Sequence, residues 1–145
     1  MRKTQQGMTL VEVIVVLLVL GILMGAGVPT VGAALDGFRA TGATADLYAA
    51  VQLTKVRARA TGVTHALVLD PGGRAFRIVA DPAGGASTVE GPHQIVDGAV
   101  ATSNVTIQFS SKGFAVPAGT ITIRSAGETR RIVVSILGRV RIAIG

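Results

Sequence analysis

From Val13 to Leu35 the chain carries no charged side chain, and no other feature limits its fold as much. The run is about 23 residues long. As a helix rising about 1.5 Å per residue it reaches about 34 Å, enough to cross the hydrocarbon core of a bilayer. A basic leader, Met1-Arg2-Lys3-Thr4-Gln5-Gln6, lies ahead of it and orients the start of the chain toward the cytoplasm. Glu12 stands at the mouth of the run. A lone carboxylate costs about 2.5–3.5 kcal/mol at the bilayer centre and less near its edge. Nothing in Val13–Leu35 can neutralise it, so Glu12 needs a positive partner from elsewhere. The run is longer than the apolar core of an ordinary secretory signal, about 7–15 residues.

The stretch Gly7-Met8-Thr9-Leu10-Val11-Glu12 resembles the processing site of type IV prepilins and type II secretion pseudopilins. The resemblance implies that a prepilin peptidase cuts after Gly7 and methylates the new amino terminus on Met8. It also implies that Glu12 neutralises the terminal amine of a neighbouring subunit during assembly. Most of that family has Phe where this chain has Met8. Pro29 falls where the family often has a proline, and a proline there removes a helical hydrogen bond and is expected to kink the helix.

Outside the membrane run about 100 residues remain, room for one small domain. The chain has no cysteine, so that domain is expected to hold by its core alone, without disulfides, in an oxidising periplasm. The net charge of +6 is uneven. Residues 105–145 hold Lys112, Arg124, Arg130, Arg131, Arg139 and Arg141 against Glu128 alone. Such an excess suits a polyanionic partner.

The helix is expected to start near Thr9, which has capping-box spacing to Glu12. Gly21 and Gly25 form a pair of small residues that lets another helix approach. Beyond Ala33 the helix turns amphipathic, with an apolar stripe expected on Ala49, Leu53, Val56 and Ala60, widened by Leu47 and Val51. Gly62 is a stop signal. Short β segments follow. Thr64–Leu69 and Arg74–Val79 flank the hairpin turn Asp70-Pro71-Gly72-Gly73. Asp81–Thr88 reads as a loop. His93–Val96, Val105–Phe109, Phe114–Val116, Thr120–Arg124, Thr129–Ile136 and Val140–Ile144 read as strands. The expected organisation is a leader over 1–7, a transmembrane half-helix over 8–32, an amphipathic half-helix over 33–62 and an antiparallel β domain over 63–145. The fold class is α+β, with the long helix laid on a sheet.

The β portion is similar to the GspH/FimT branch of the pseudopilins. The matching pieces are Phe109-Ser110-Ser111-Lys112-Gly113, Ile121-Thr122-Ile123, Arg130-Arg131-Ile132-Val133-Val134 and Gly138-Arg139-Val140-Arg141-Ile142. None of these matching pieces falls between Ala80 and Asn104. The resemblance implies a pilin-like fold, a long N-terminal helix packed on two antiparallel sheets.

Catalysis finds no footing in the sequence. His65 and His93 have no carboxylate or cysteine cluster beside them, and Asp70, Asp81, Glu90 and Asp97 sit at turns without the spacing of a calcium loop. No enzyme activity, metal or cofactor is expected. The first functional reading is structural: a minor pseudopilin of a type II secretion pseudopilus or type IV pilus, anchored in the inner membrane with its domain in the periplasm. Its implied partners are other pilins or pseudopilins, the prepilin peptidase and an inner-membrane assembly platform. The second reading is DNA capture. Some FimT-like proteins bind DNA through a Gly-Arg-x-Arg segment, which here is Gly138-Arg139-Val140-Arg141. By strand alternation Arg139 and Arg141 share one face, and Val140, Ile142 and Ile144 are expected to face the core. Arg130, Arg131, Arg124 and Lys112 could extend the basic patch. The plain alternative for these arginines is a solvated, charge-guarded edge strand. A single-pass anchored protein unrelated to filaments is a third reading.

Overall fold

A computed structural model of the chain describes residues 9–96, 98–125 and 127–144, except for the side chains at 26–31, 33 and 34. The expected processing site, Gly7 and Met8, and the side chain of Pro29 lie outside the described residues. One helix, α1, spans Leu10–Thr61, and eight strands follow. The chain divides into two units, Met1–Leu35 and Asp36–Gly145.

In the first unit Thr9 caps the helix: its Oγ1 accepts the Glu12 N–H at 3.3 Å. The described apolar side chains are exposed, from Leu10 to Met24. A Cβ added at Gly21 or Gly25 would meet open space. Among the described residues, no helix is long and apolar enough to cross a membrane. The described side chains of the apolar run reach Gly25 before the first gap.

The second unit holds the rest of α1 and two four-stranded antiparallel sheets. The first contains β1 (His65–Leu69), β2 (Ala75–Ala80), β3 (Ser87–Gln94) and β5 (Ile107–Phe109), in the order β3-β2-β1-β5. The second contains β4 (Ala99–Ser103), β6 (Gly119–Ser125), β7 (Glu128–Val134) and β8 (Val140–Ile144), in the order β4-β6-β7-β8. Both sheets supply the bulk of the core: Phe76, Ile78, Ile107, Phe109, Ile121, Ile123 and Ile132. Opposite them α1 offers mainly small side chains, Ala43, Ala50 and Ala58, with Leu47 and Val51 as its larger members. The expected stripe is therefore displaced. Ala49, Leu53, Val56 and Ala60 are exposed, and the buried line runs through Ala40, Ala43, Leu47, Val51, Thr54 and Ala58. The reason is volume: bulky sheet residues fill the layer, and small helix residues complement them. The buried hydroxyls on this face of the helix cost little, because Thr44 and Thr54 donate to the carbonyls of Ala40 and Ala50, each at 2.7 Å.

Two links tie the end of α1 to the sheets. Arg57 pairs with Glu90 of β3, which also meets His93 Nε2 at 3.3 Å. Lys55 Nζ donates to the Gly138 carbonyl at 2.9 Å. Helix α1 then stops at Gly62, whose φ of 71° suits a left-handed cap.

The hairpin at Asp70–Gly73 forms as expected. The Ala80–Asn104 region differs: Ser87–Gln94 is an eight-residue strand and Ala99–Ser103 another, where a loop and a short strand at His93 were expected. Phe114–Val116 is not a strand but holds a single bridge, Phe109 to Ala115.

Candidate functional site

The basic residues of the C-terminal third are placed by three strands whose pairing is continuous. Strand β6 pairs with β7 through Gly119↔Val134 to Ser125↔Glu128, and β7 with β8 through Val134↔Val140 to Arg130↔Ile144. Ile121 and Ile123 of β6 and Ile132 and Val134 of β7 are buried, so they define the core face of the sheet. Alternation then fixes the opposite face: Arg124, Thr122 and Thr120 on β6, Arg131 and Val133 on β7, Arg141 and Ala143 on β8.

On that outer face the arginines fall along a diagonal. Arg124 lies opposite Thr129, one row from Arg131, and Arg131 lies opposite Ala143, one row from Arg141. Diagonal neighbours of this kind are about 7–8 Å apart along the sheet. Arg139 joins them from the turn before β8. It lines a groove of about 350 Å³ together with Val133, Ser135, Leu137 and Arg141. Arg124, Arg131, Arg139 and Arg141 are all exposed, and none has an ion pair among the described residues.

The turn that aims Arg139 is held firmly. Gly138 N donates to Ser135 O at 2.8 Å, and Ser135 N donates to Arg139 O at 2.9 Å. Gly138 has φ 70°, and a Cβ there would collide with the Gly113 carbonyl. Only glycine fits, and Lys55 caps its carbonyl from the helix.

Two expected members do not belong to the diagonal. Arg130 is adjacent to Arg131 and so projects from the other face, where its Nη2 meets Glu128 Oε2 at 3.3 Å. Strand alternation alone separates the two residues. Lys112 sits in the turn Ser110–Gly113 that follows β5, off the face, although that turn abuts Gly138. The expected core face of β8 is also corrected. Val140 is half-buried against the core, but Ile142 is 48% and Ile144 82% exposed. Among the described residues, no layer covers the far end of this edge strand.

The remaining candidates have structural explanations. His65 is buried in β1, with Nδ1 2.9 Å from Val63 O. The His93 ring is tilted against Phe76 at 5.5 Å. Among the described residues no three metal-ligating side chains converge. Glu12 is exposed on the first turn of α1. The pairing of Arg57 with Glu90 had no signal in the sequence, since the two are distant along the chain and joined only by the fold.

Two family models match the chain. One, described as a prokaryotic N-terminal methylation motif, matches residues 2–28. The other, described as type II transport protein GspH, matches residues 43–138. No curated protein matches. Among solved structures, the type IV minor pilin FimU of Pseudomonas aeruginosa is similar, with TM-score 0.61 and 19% identity over 71% of this chain and 87% of that one. So is the minor pseudopilin EpsH from the type 2 secretion system of Vibrio cholerae, with TM-score 0.58 and 15% identity over 75% of this chain and 96% of that one.

Proposed function

The chain belongs to the GspH family of pilin-like structural subunits, and from that membership we propose a minor pseudopilin that is processed, anchored and assembled through its first 35 residues. The observation that carries this reading is the order of the parts. A methylation motif over 2–28 takes in the start of α1, and the later half of the same helix packs on the two-sheet domain. Cleavage after Gly7 would free the amine of Met8, and Glu12 would meet such an amine on a neighbouring subunit. The exposed apolar side chains from Leu10 to Met24 suit lipid before assembly and other helices afterward. The partners in this reading are the prepilin peptidase, the assembly platform of the inner membrane and other subunits, with the β domain in the periplasm. Fractionation of sheared pilus or pseudopilus material decides the role of Glu12: Glu12→Ala is expected to lower incorporation at least about tenfold, as an unpaired amine is left in an apolar setting. Equal incorporation refutes it.

A second reading has its own support, the diagonal Arg124, Arg131, Arg141 with Arg139 beside it. Such a face can neutralise several phosphates with little base preference. DNA capture predicts that the full chain in non-ionic detergent shifts duplex DNA at low salt and weakens steeply as salt rises. The Arg139→Ala/Arg141→Ala protein is then expected to bind more weakly with a shallower salt slope. Absence of binding at low salt removes this reading and leaves the structural one intact.

A further inference from the structure

Two four-stranded sheets leave four edges, β3 and β5 on one, β4 and β8 on the other. Three of them are closed to a further strand. Strand β3 carries register shifts, Glu90 and Pro92, the ordinary guards of an edge. Strand β4 is occupied from outside: Ala101 N donates to Gly73 O at 2.8 Å. Strand β5 is covered by the Ala115 bridge and by Val116 N, which donates to Gln108 O at 3.0 Å. Strand β8 pairs only with β7 among the described residues; it contains no proline or bulge, and its one charged side chain, Arg141, lies on the outer face of the sheet.

The polarity of this edge follows from its pairing. Arg139 O accepts from Ser135 N, so the backbone groups of Arg139, Arg141 and Ala143 turn toward β7. Those of Val140, Ile142 and Ile144 turn outward and have no hydrogen-bond partner among the described residues. The side chains divide by the same alternation. On one face Arg139 and Arg141 border the groove floored by Val133 and Leu137. On the other Ile142 and Ile144 are exposed.

We propose that the outer edge of β8 receives an extended segment of a partner protein, with acidic side chains at alternate positions and aliphatic ones between them. The acidic side chains would reach Arg139 and Arg141, the aliphatic ones would cover Ile142 and Ile144, and the backbone would satisfy the three outward residues. Charge excludes a second copy as the natural occupant. Two β8 strands side by side place four arginines on one face, where like charges repel. The proposal is independent of how the subunit is processed or anchored.

The test uses the full chain in non-ionic detergent with an eight-residue peptide of alternating glutamate and valine, and its counterpart with lysine for glutamate. Amide exchange at Ile142 and Ile144 is expected to slow about tenfold or more with the glutamate peptide and not with the lysine peptide. Ile142→Pro removes one outward N–H without touching the β7 ladder and is expected to abolish the slowing at Ile144, the amide that still reports in this variant. Arg139→Glu/Arg141→Glu leaves the edge intact and is expected to reverse the preference toward lysine, which keeps the test valid if the proline variant misfolds. A DNA site on the same arginines would survive Ile142→Pro. No slowing, equal slowing by both peptides, or slowing that rises with protein concentration in the absence of peptide overturns the proposal.

Discussion

Asp70 does the work of a whole turn. Its Oδ1 accepts N–H groups from Arg74 at 2.7 Å and Ala75 at 2.8 Å, and its Oδ2 that of Gly72 at 3.3 Å. The Ala75 N–H, more than any other group, holds the carboxyl below its ordinary value. A depressed folded value means that its support for the turn is complete above the ordinary carboxylate pKa of about 3.9 and is lost as pH falls through the lower, folded one. The Ala75 amide shift is expected to report a single midpoint below about 3.9, absent in Asp70→Ala. A midpoint at or above that value contradicts the assignment. Three residues on, Gly73 has φ 65°, and a Cβ there would strike the Ala101 carbonyl. Gly127 also has positive φ, 93°, but open space around it. Gly73→Ala is therefore expected to cost more than about 2 kcal/mol, and Gly127→Ala about 1, in denaturant unfolding. Equal losses would show that backbone conformation, not contact, governs both sites.

At the level of elements, the helix face is what packing decided and sequence did not. Leu47 is fully buried and Leu53 is 36% exposed, although both fit an apolar stripe. Leu47→Ala is expected to cost about 2–5 kcal/mol and Leu53→Ala less than about 1, measured by unfolding midpoints. The reverse order would place the sheets against the other face. Alanines at 40, 43, 49, 50, 58 and 60 look alike in the sequence, so only the sheets' bulk could choose among them. Strands β6, β7 and β8 were legible because alternation and turn glycines agree there. Strand β3 was not, since Ser87–Gln94 is mostly polar and contains Gly91-Pro92, which reads as a breaker. Strand β4 was missed because its two buried residues, Ala99 and Ala101, carry almost no hydrophobic signal. The arginine diagonal was half legible. Residue spacing gave Arg139 with Arg141 and offered Arg124, Arg131, Arg130 and Lys112 as extensions, whereas the register that keeps the first two on the face and leaves out the last two belongs to pairing between strands.

For the molecule as a whole, burial concentrates in Asp36–Gly145, and no disulfide reinforces it. Its helix meets the sheets along a line of mostly small side chains, which interlock less deeply than large ones. Motion of α1 along its own axis is thus resisted mainly by Leu47, Val51 and two polar tethers near its far end, Lys55 to Gly138 and Arg57 to Glu90. Tension applied from the amino end reaches those tethers as shear, and they share the load in parallel. Single-molecule pulling between residue 36 and the last strand is expected to show a lower rupture force for Lys55→Met with Arg57→Gln, while Arg124→Gln leaves it unchanged. An unchanged force in the double variant would assign the strength to packing alone. A subunit drawn by its N-terminal helix would then be strongest in the direction of pull because the anchorage lies at the trailing end of the rod, where a pin stops a smooth shaft from slipping out of its sleeve.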